Sequence, residues 1–287
     1  MSRIAYVNGR YQRHAEAMVH VEDRGYQFSD GVYEVCEIWN GRVVDERRHL
    51  DRLERSLREL QIRMPMGRAA LSQVMREVVR RNHVSDGLVY LQVTRGVARR
   101  DHVFPSPDTK PALVVTARSV PAGAGDASAQ AGVGVITVPD NRWERVDIKT
   151  VGLLPNVLAK QKAKEAGAKE AWFVDTQGFV TEGGSTNAWI VTKDNTLVTR
   201  PAEQGILKGI TRQVVLDMIE RHGFAFDERP FTVEEAKQAK EAFITAASTL
   251  VMPVVRIDDT PVGNGHPGEL SRELRQRFHE VSESEPV

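Results

Sequence analysis

The segment Thr181-Glu182-Gly183-Gly184-Ser185-Thr186-Asn187 places a carboxylate before small, flexible residues and leads directly into the apolar residues 188–191. Earlier in the chain, Val146-Asp147-Ile148-Lys149 alternates apolar and charged side chains. Alternation of this kind is typical of a half-buried strand, so we predict that Lys149 lies at the tip of a strand. The apolar run after Asn187 predicts a second, buried strand.

Lys149 and Glu182 suit one kind of cofactor chemistry. A lysine amine can form an imine with an aldehyde, and a carboxylate can keep a pyridine nitrogen protonated. Pyridoxal phosphate requires both groups, so the two segments together indicate a pyridoxal phosphate site. Taken singly, each segment also fits an ordinary strand end or turn.

The composition excludes several kinds of partner and site. Lysine plus arginine and aspartate plus glutamate both number 39, so a net charge of zero gives no attraction to nucleic acid or anionic membrane. The single cysteine, Cys36, excludes an intramolecular disulfide and a cysteine-based metal cluster, and no metal is expected. No apolar run suits a signal peptide or a membrane span. We therefore expect a soluble, cytoplasmic protein.

Turn signals and periodicity divide the chain into two regions. Asn8-Gly9 and Asn40-Gly41 are strong hairpin signals between short strands. The small, turn-forming residues 119–131 are the clearest linker. We predict an α+β protein with a smaller N-terminal α/β domain over residues 1–118 and a larger, β-rich C-terminal domain over residues 132–287.

The C-terminal region predicts further elements around its candidate site. A helix is expected from about Pro155, because proline suits the first helical turn. Residues 171–174 and 179–181 predict a hairpin. A terminal helix is predicted over residues 268–280, with a frayed tail after it at 282–287.

The segment Gly205-Ile206-Leu207-Lys208-Gly209-Ile210-Thr211 leads into a helix predicted near residues 209–222. Backbone N–H groups in a first helical turn have no intrahelical acceptor, and with the Thr211 hydroxyl they suit a phosphate. A plain helix N-terminus has the same pattern, so this segment alone leaves both interpretations open.

Arg100-Asp101-His102-Val103-Phe104-Pro105 is the fourth informative segment. Arginine binds carboxylates through paired hydrogen bonds. Arg100 and His102 are two residues apart, so on an extended segment they point the same way and suit one anion. A basic surface loop is the alternative.

Six segments in this order closely resemble the class IV aminotransferases, the fold-type IV pyridoxal phosphate enzymes. The segments are Asp30-Gly31-Val32-Tyr33-Glu34-Val35, His49-Leu50-Asp51-Arg52-Leu53, the Arg100/His102 segment, Lys149 with Leu153-Leu154-Pro155-Asn156, residues 182–187 and residues 206–212. The resemblance extends from about residue 4 to about residue 257. The Arg-x-His spacing before Phe104-Pro105 resembles the D-amino acid aminotransferases in particular.

The resemblance implies roles for individual residues. Lys149 forms the internal aldimine with pyridoxal 5'-phosphate and moves the proton at the substrate α-carbon, while Glu182 bonds the pyridine nitrogen. The resemblance also implies that Arg52 and the backbone of Ile210 and Thr211 bind the cofactor phosphate, with the Ser248 hydroxyl as a further donor. Leu207 would pack against the cofactor ring, and Ser185 is a further implied cofactor contact. The substrate carboxylate is bound by Tyr33, Arg100 and His102, the last two from the other subunit, which implies a functional homodimer.

The sequence departs from the D-specific pattern at a few positions. Gly184 and Ala246-Ala247 stand where those relatives often carry hydroxyl residues, and Gly152 replaces a frequent asparagine. Trp189 replaces phenylalanine or tyrosine. The departures leave the cofactor chemistry intact and bear on substrate range and cofactor binding.

The resemblance therefore favours transamination of D-amino acids such as D-alanine and D-glutamate with pyruvate or 2-oxoglutarate. Thr245-Ala246-Ala247-Ser248 leans toward the branched-chain L-amino acid transaminases, which keep the same lysine. A third alternative is aminodeoxychorismate lyase, which shares the fold but needs no amino acceptor. A metabolite-binding protein on a degenerate scaffold is disfavoured, because lysine, glutamate and phosphate-site residues occur together.

Overall fold

The computed structural model describes residues 3–202 and 205–287, which form two compact units. The first unit contains the described residues up to Ala122, together with Ile148–Gly152 and Glu283–Val287. The second unit contains Gly123–Asp147 and Leu153–Ser282. The chain thus returns to the first unit for the short segment that carries Lys149.

The elements have the following bounds. The helices are α1 (Arg24–Phe28), α2 (Glu46–Glu59), α3 (Arg68–Arg81), α4 (Asp126–Ala131), α5 (Leu154–Glu165), α6 (Ile210–His222), α7 (Val233–Lys237) and α8 (Glu269–Val281). The strands are β1 (Ile4–Val7), β2 (Arg10–Arg13), β3 (Gly31–Trp39), β4 (Arg42–Val44), β5 (Gly87–Thr94), β6 (Ala112–Ser119), β7 (Val133–Pro139), β8 (Glu170–Val174), β9 (Val180–Gly183), β10 (Asn187–Val191), β11 (Leu197–Thr199), β12 (Phe226–Glu228), β13 (Glu241–Ala246), β14 (Leu250–Ile257), β15 (Thr260–Pro261) and β16 (Ser284–Pro286).

The first unit is one antiparallel sheet with strand order β16-β4-β3-β5-β6-β1-β2. Both predicted hairpins are confirmed: Asn8-Gly9 joins β1 to β2, and Asn40-Gly41 joins β3 to β4. All four turn residues have positive φ, the conformation that asparagine and glycine adopt at the lowest cost. Helix α2 packs its leucine stripe into the sheet's core, and Ile148 belongs to the same core.

The second unit is a mixed sheet with strand order β12-β11-β10-β13-β14-β7-β8-β9. The predicted hairpin is confirmed, since β8 pairs antiparallel with β9. The predicted helices near Pro155, 209–222 and 268–280 are confirmed as α5, α6 and α8. Helix α4 occupies the second half of the predicted linker 119–131. No helix within the described residues has the length and apolarity to cross a bilayer.

The predicted frayed tail is wrong. Residues Ser284–Pro286 form β16, which pairs antiparallel with β4. Arg42 donates to the Ser284 hydroxyl and carbonyl at 2.8 and 2.7 Å, and Arg47 binds Glu283 at 2.5 Å. The tail is ordered because it satisfies the backbone groups of an edge strand, a long-range pairing that composition does not reveal.

The predicted strand at Lys149 is also wrong. The backbone from Glu144 to Asp147 turns, and Lys149 follows it in an irregular segment. Thr150 forms a single bridge with Val32 at the start of β3, and Val151 N donates to the Gly31 carbonyl at 3.1 Å. Apolar and charged residues alternate over residues 146–149 because Ile148 is buried in the core of the first unit. These residues do not form a β-strand.

Candidate active site

The backbone of Lys149 is fixed on both sides by the first unit. Its N–H donates to the buried Ser56 hydroxyl of α2 at 3.3 Å, and its carbonyl accepts from Tyr33 N on β3 at 3.0 Å. The neighbouring Ile148 is buried in the core. These contacts fix the backbone position of Lys149, and its side chain takes no part in them.

The structure brings Tyr33 and Lys149 together. The Lys149 Nζ lies 4.3 Å from the centroid of the Tyr33 ring, within cation–π range. Tyr90 stacks on Tyr33 with ring centroids 5.6 Å apart and donates its hydroxyl to Gln92 at 2.7 Å. Burial, reinforced by Tyr33, raises the pKa of Tyr90 to about 12, so its phenol stays neutral. Tyr90 therefore helps to fix the position of the Tyr33 ring, which faces the Lys149 amine.

Arg52 is anchored by a buried carboxylate that the sequence analysis gave no role. Arg52 donates Nε and Nη2 to the two oxygens of Glu34 at 2.7 and 2.8 Å. His49 lies on α2 beside Arg52, and its Nδ1 is 2.7 Å from Glu34 Oε2. Glu34 is fully buried on β3. The three side chains form a compact network that fixes the direction of the Arg52 guanidinium.

The protonation states of this network follow from its burial. Burial alone would raise the pKa of Glu34, but Arg52 and His49 outweigh it and lower the pKa to about 2. Burial lowers the pKa of His49, and the charges of Arg52 and Lys149 act in the same direction. At neutral pH the network is therefore a carboxylate, a guanidinium and a neutral imidazole that donates from Nδ1.

Arg100 and His102 both pack against one aromatic ring in the first unit. The Arg100 Cζ lies 4.9 Å from the Phe28 ring centroid, and the His102 ring lies 5.6 Å from it. The two predicted anion ligands are therefore brought to the same place. Neither makes a hydrogen bond, ion pair or ring contact with Tyr33 among the described residues.

In the second unit, both oxygens of Glu182 are occupied by protein donors. Arg142 Nη1 donates to Oε1 at 2.5 Å. Asn187 Nδ2 and the backbone N–H of Leu207 donate to Oε2 at 3.1 and 3.0 Å. Glu182 is 5% exposed, and a buried carboxylate bonded in this way stays ionised. The candidate pyridine partner is thus a fixed negative charge.

Arg142 is itself clamped by a second carboxylate. It donates Nε and Nη2 to Asp140 at 2.9 and 2.7 Å, and its guanidinium lies 4.3 Å from the Phe173 ring centroid. Burial alone would lower the pKa of Arg142, but hydrogen bonds and charges from Asp140 and Glu182 raise it. Arg142 therefore remains a cation between two carboxylates.

Asn187 connects Glu182 to the segment before α6. Its Nδ2 also donates to the Leu207 carbonyl at 2.9 Å, so both polar groups of the Leu207 backbone are engaged. A Cβ on Gly209 would lie 2.0 Å from Asn187 Oδ1, so only glycine fits there. The contact places Leu207 beside Glu182 within the second unit.

Helix α6 begins as predicted, with Gly209 before Ile210 and Thr211 in the first turn. No described side chain caps this N-terminus. The first-turn N–H groups and the positive end of the helix dipole are therefore suited to an anion.

The turn after Glu182 is organised by Glu170, another residue without a predicted role. The buried Glu170 Oε2 accepts from the Ser185 hydroxyl at 2.9 Å and from its backbone N–H at 3.2 Å. Lys160 lies 3.1 Å from Glu170 Oε1, and Thr186 also donates to Oε2 at 3.3 Å. In this structure the Ser185 hydroxyl therefore stabilises the turn.

Ser248 lies exposed in the turn between β13 and β14. The next residue, Thr249, has a buried hydroxyl without a hydrogen-bond partner among the described residues. Thr245 accepts from the Trp189 indole at 3.1 Å. Thr249 is thus a second hydroxyl in this turn that sequence reasoning did not single out.

Residues missed from the sequence share one property: they contact the predicted residues across long stretches of chain. Arg142 and Glu182 are 40 positions apart, and Glu34 and Arg52 are 18 apart. The only local signal was the repeated pairing of arginine with aspartate, as in Asp140 and Arg142. Asn187 belongs to the segment of residues 181–187, but its contacts with Glu182 and Leu207 could not be predicted without the fold.

The comparisons with known proteins agree with this geometry. The profile of the family amino-transferase class IV matches residues 31–257. D-alanine aminotransferase of Bacillus licheniformis is 42% identical over 268 residues, covering 93% of both chains. D-alanine aminotransferase of Staphylococcus haemolyticus is 39% identical over 280 residues, covering 97% of this chain and 98% of the relative.

Solved structures of the same family share the fold. The T.th. branched-chain amino acid aminotransferase with pyridoxamine 5'-phosphate superposes with a TM-score of 0.89 and 26% identity, covering 98% of this chain and 94% of that one. The branched-chain enzyme of Escherichia coli gives 0.88 at 22% identity, covering 98% and 94%. The predicted fold-type IV architecture is confirmed, and the chain belongs to the class IV aminotransferases.

Proposed function

We propose that this aminotransferase uses pyridoxal 5'-phosphate to transaminate D-amino acids with 2-oxo acids, with D-alanine or D-glutamate as donor and pyruvate or 2-oxoglutarate as acceptor. The observation that carries the proposal is the pairing of Arg100 with His102 on the Phe28 ring. That pair is the feature by which the sequence resembles the D-specific group. Nearly full-length similarity to D-alanine aminotransferases supports the same substrate class.

The donor set of the chain fits pyridoxal phosphate. An amine, a buried ionised carboxylate and an uncapped helix N-terminus are present at Lys149, Glu182 and Ile210. The buried Thr249 hydroxyl is one more donor without a protein partner among the described residues. When bound, the cofactor supplies an electron-withdrawing ring that stabilises negative charge at the substrate α-carbon.

Lys149 would hold the cofactor and move the proton at the substrate α-carbon. The amine suits this task because, among the described residues, no carboxylate oxygen lies within ion-pair distance of it. Its contact is the face of the Tyr33 ring, 4.3 Å from Nζ, which neither donates nor accepts a proton. The fixed backbone of Lys149 keeps the amine within reach of one position.

Glu182 would keep the proton on the pyridine nitrogen. A carboxylate already bonded by Arg142, Asn187 and Leu207 does not need to reorganise to face a positive charge. Leu207 is held next to it and would contact the ring. Ser185 would act by stabilising the turn that carries Glu182.

The phosphate would be bound by Arg52 and by the backbone N–H groups of Ile210 and Thr211, with Ser248 as a hydroxyl donor. Arg52 is suited to this role because Glu34 and His49 fix its orientation before any ligand arrives. The helix dipole of α6 favours the phosphate charge.

The substrate carboxylate would be bound by Tyr33 together with Arg100 and His102 of the neighbouring subunit. A carboxylate fixed on one side determines which hand of amino acid presents its α-hydrogen to Lys149. Arginine suits this site because its planar fork makes paired hydrogen bonds to a carboxylate.

A homodimer would bring Arg100 and His102 to the partner's site. In the first unit, Met18, Val21, Tyr26, Val103 and Phe104 are exposed apolar side chains on the two segments around Arg100. These segments are adjacent, since Ala98 N donates to the Glu22 carbonyl and Arg24 to the Asp101 carbonyl. An apolar surface beside the proposed ligands supports burial against a second copy of the chain.

The protein would act in the cytoplasm. Its single cysteine, Cys36, is a free, buried thiol on β3, and burial holds the pKa of that thiol well above its usual value. An inert thiol of this kind is compatible with a reducing compartment. Fractionation of the native host with an activity assay would test the location.

A branched-chain L-amino acid transaminase is the second candidate, favoured by the fold of the T.th. enzyme and by residues 245–248. Steady-state turnover with 2-oxoglutarate as acceptor separates the two. We expect turnover of D-alanine and not of L-leucine. Turnover of L-leucine without D-alanine would establish the second candidate. Release of pyruvate from aminodeoxychorismate over many turnovers, with no acceptor present, would indicate the lyase.

A further inference from the structure

Asp30 binds two buried arginines at the start of β3. Arg24 Nε donates to Oδ2 at 2.8 Å, and Arg95 donates Nε to Oδ2 at 2.7 Å and Nη2 to Oδ1 at 2.9 Å. Arg24 and Arg95 are 3% and 8% exposed. One carboxylate therefore fixes two guanidinium groups that water barely reaches.

These two arginines hold the segment that carries the proposed carboxylate ligands. Arg24 Nη1 donates to the carbonyl of Asp101, the residue between Arg100 and His102, at 2.6 Å. Arg95 begins this segment, and its guanidinium lies 3.8 Å from the Phe104 ring centroid beyond His102. The segment is thus tied to Asp30 on both sides of the two ligands.

The backbone strengthens the same connection. Arg95 N donates to the Asp30 carbonyl at 3.0 Å, and Arg24 N donates to the Gly96 carbonyl at 2.9 Å. Phe28, which lies between Arg24 and Asp30 in sequence, has Arg24 and Arg100 at 4.8 and 4.9 Å from its ring centroid. His102 packs on the same ring.

Ion pairs fix the side chains of this cluster. Two guanidiniums share one carboxylate, and Arg100 adds a further positive charge on Phe28. Burial alone would raise the pKa of Asp30, but the hydrogen bonds from Arg95 and Arg24 outweigh it and leave the pKa below its usual value. Asp30 therefore stays ionised between the two arginines at neutral pH.

We propose that Asp30 is a positioning residue for substrate binding: through Arg24 and Arg95 it sets Arg100 and His102 in the geometry that binds the substrate carboxylate. The proposal rests on the proposed function, because it assumes that Arg100 and His102 bind that carboxylate. Asp30 itself touches neither substrate nor cofactor in this scheme. Its removal should weaken carboxylate binding and leave the chemical step nearly unchanged.

The first experiment is a double-mutant cycle on the holoenzyme with Asp30→Asn and Arg100→Ala. We expect each substitution to raise the KM for D-alanine by about tenfold or more, with kcat changed far less, because a charge-assisted contact to the carboxylate is weakened. Asp30→Asn should raise the KM by a smaller factor in the Arg100→Ala background than in the wild type, since part of its effect acts through Arg100 and the remainder through His102. Asp258→Asn is the control: it breaks a more exposed ion pair with Lys237, at 3.1 Å in the second unit, and its KM should stay at the wild-type value.

A second variant removes the shared ring without disturbing an ion pair. Phe28→Leu should raise the KM for D-alanine several-fold, because both ligands lose the ring on which they pack. Tyr11→Leu removes an equivalent contact with Arg81, whose Cζ lies 4.1 Å from the Tyr11 centroid, and should leave the KM unchanged. This variant also keeps the proposal testable if Asp30→Asn fails to fold.

A binding measurement separates positioning from general damage. Propionate has the carboxylate but no amine, so its dissociation constant, read from the holoenzyme absorption spectrum, should rise in Asp30→Asn and Phe28→Leu. If Arg100→Ala leaves the KM for D-alanine unchanged, the proposed carboxylate site is wrong. If Arg100→Ala raises the KM while Asp30→Asn and Phe28→Leu do not, the carboxylate site stands and the role of Asp30 is overturned.

Discussion

The lysine region of the first unit and the glutamate region of the second unit are built in opposite ways. Lys149 is held by its backbone, while its amine contacts the Tyr33 ring and, among the described residues, pairs with no carboxylate. Glu182 is held by its side chain, with Arg142 on one oxygen and Asn187 and Leu207 on the other.

This difference fits the roles proposed for Lys149 and Glu182. A buried charge that must stay in one place is stable only when it is paired and fully hydrogen-bonded. A proton carrier has to change its charge and partners during the reaction, so a fixed ion pair would oppose it. The arrangement of Lys149 fits its proposed role as a proton carrier, and that of Glu182 fits its proposed role as a fixed counter-charge.

Substitution of Lys149 should have the largest effect on activity. Lys149→Ala should lower kcat for transamination by about a thousandfold or more, because both cofactor attachment and proton transfer depend on the amine. Lys162→Ala, on the exposed face of α5, should keep the wild-type kcat. A normal kcat for Lys149→Ala would show that the Lys149 amine is not the proton carrier.

Loss of the clamp on Glu182 should mainly lower stability. Arg142→Met leaves the buried Glu182 and the half-buried Asp140 without their cation, so the free energy of unfolding should fall by about 3–5 kcal/mol. Arg145→Met, which breaks the partly exposed pair with Asp147, should cost about 1 kcal/mol or less. Urea denaturation of the cofactor-free proteins measures both. Equal costs would show that Glu182 is not clamped as described.

The Glu34 network should make stability depend on acid pH. The pKa of Glu34 is about 2 in the folded chain and 4.5 as a free side chain, so its contribution is complete above pH 4.5 and is lost as the pH falls toward 2. We expect the stability difference between wild type and Glu34→Gln to shrink by about 3 kcal/mol over this window. The control Glu77→Gln breaks pairs with Arg80 and Arg81 on the surface of α3, where solvent screening should leave a much smaller pH dependence. A pH-independent difference for Glu34→Gln would contradict the network.

The turn after Glu182 should distinguish two adjacent glycines. A Cβ on Gly183 would lie 2.1 Å from the Thr186 hydroxyl oxygen, while one on Gly184 would lie 3.0 Å from Glu170 and from the flexible Lys160 chain. Gly183→Ala should therefore lower the free energy of unfolding by about 2 kcal/mol, and Gly184→Ala by less than about 1 kcal/mol. Thermal denaturation of the two variants side by side measures the difference. The reverse order would mean that the turn is not held by Glu170 and Thr186.

Local patterns were sufficient for the elements that local chemistry determines. Asn8-Gly9 and Asn40-Gly41 specified their hairpins because the required positive φ is a property of those residues. The start of α6 was equally clear, since Gly209 precedes a helix-forming run. The prediction of a strand at Lys149 was wrong because the alternating pattern reflects the burial of Ile148 in the core and not the pairing of a strand with its neighbour.

The site was predicted as a set of single residues, and the structure adds the contacts that fix them. Lys149, Tyr33 and Arg52 could be named from motifs, but the hold of Glu34 on Arg52 depends on β3 packing against α2. The tail residues at β16 were misjudged for the same reason, because their partner strand β4 lies far away in the sequence. Pairings of this kind depend on the complete fold and leave no periodic signal.

The most direct test of the account is the absorption spectrum of the purified holoenzyme after addition of D-alanine or L-leucine without any 2-oxo acid. We predict that D-alanine alone converts the bound pyridoxal form to the pyridoxamine form, and that Lys149→Ala abolishes the conversion. Conversion by L-leucine alone would keep the cofactor and Lys149 but contradict the D-amino acid assignment and the role of Arg100 and His102.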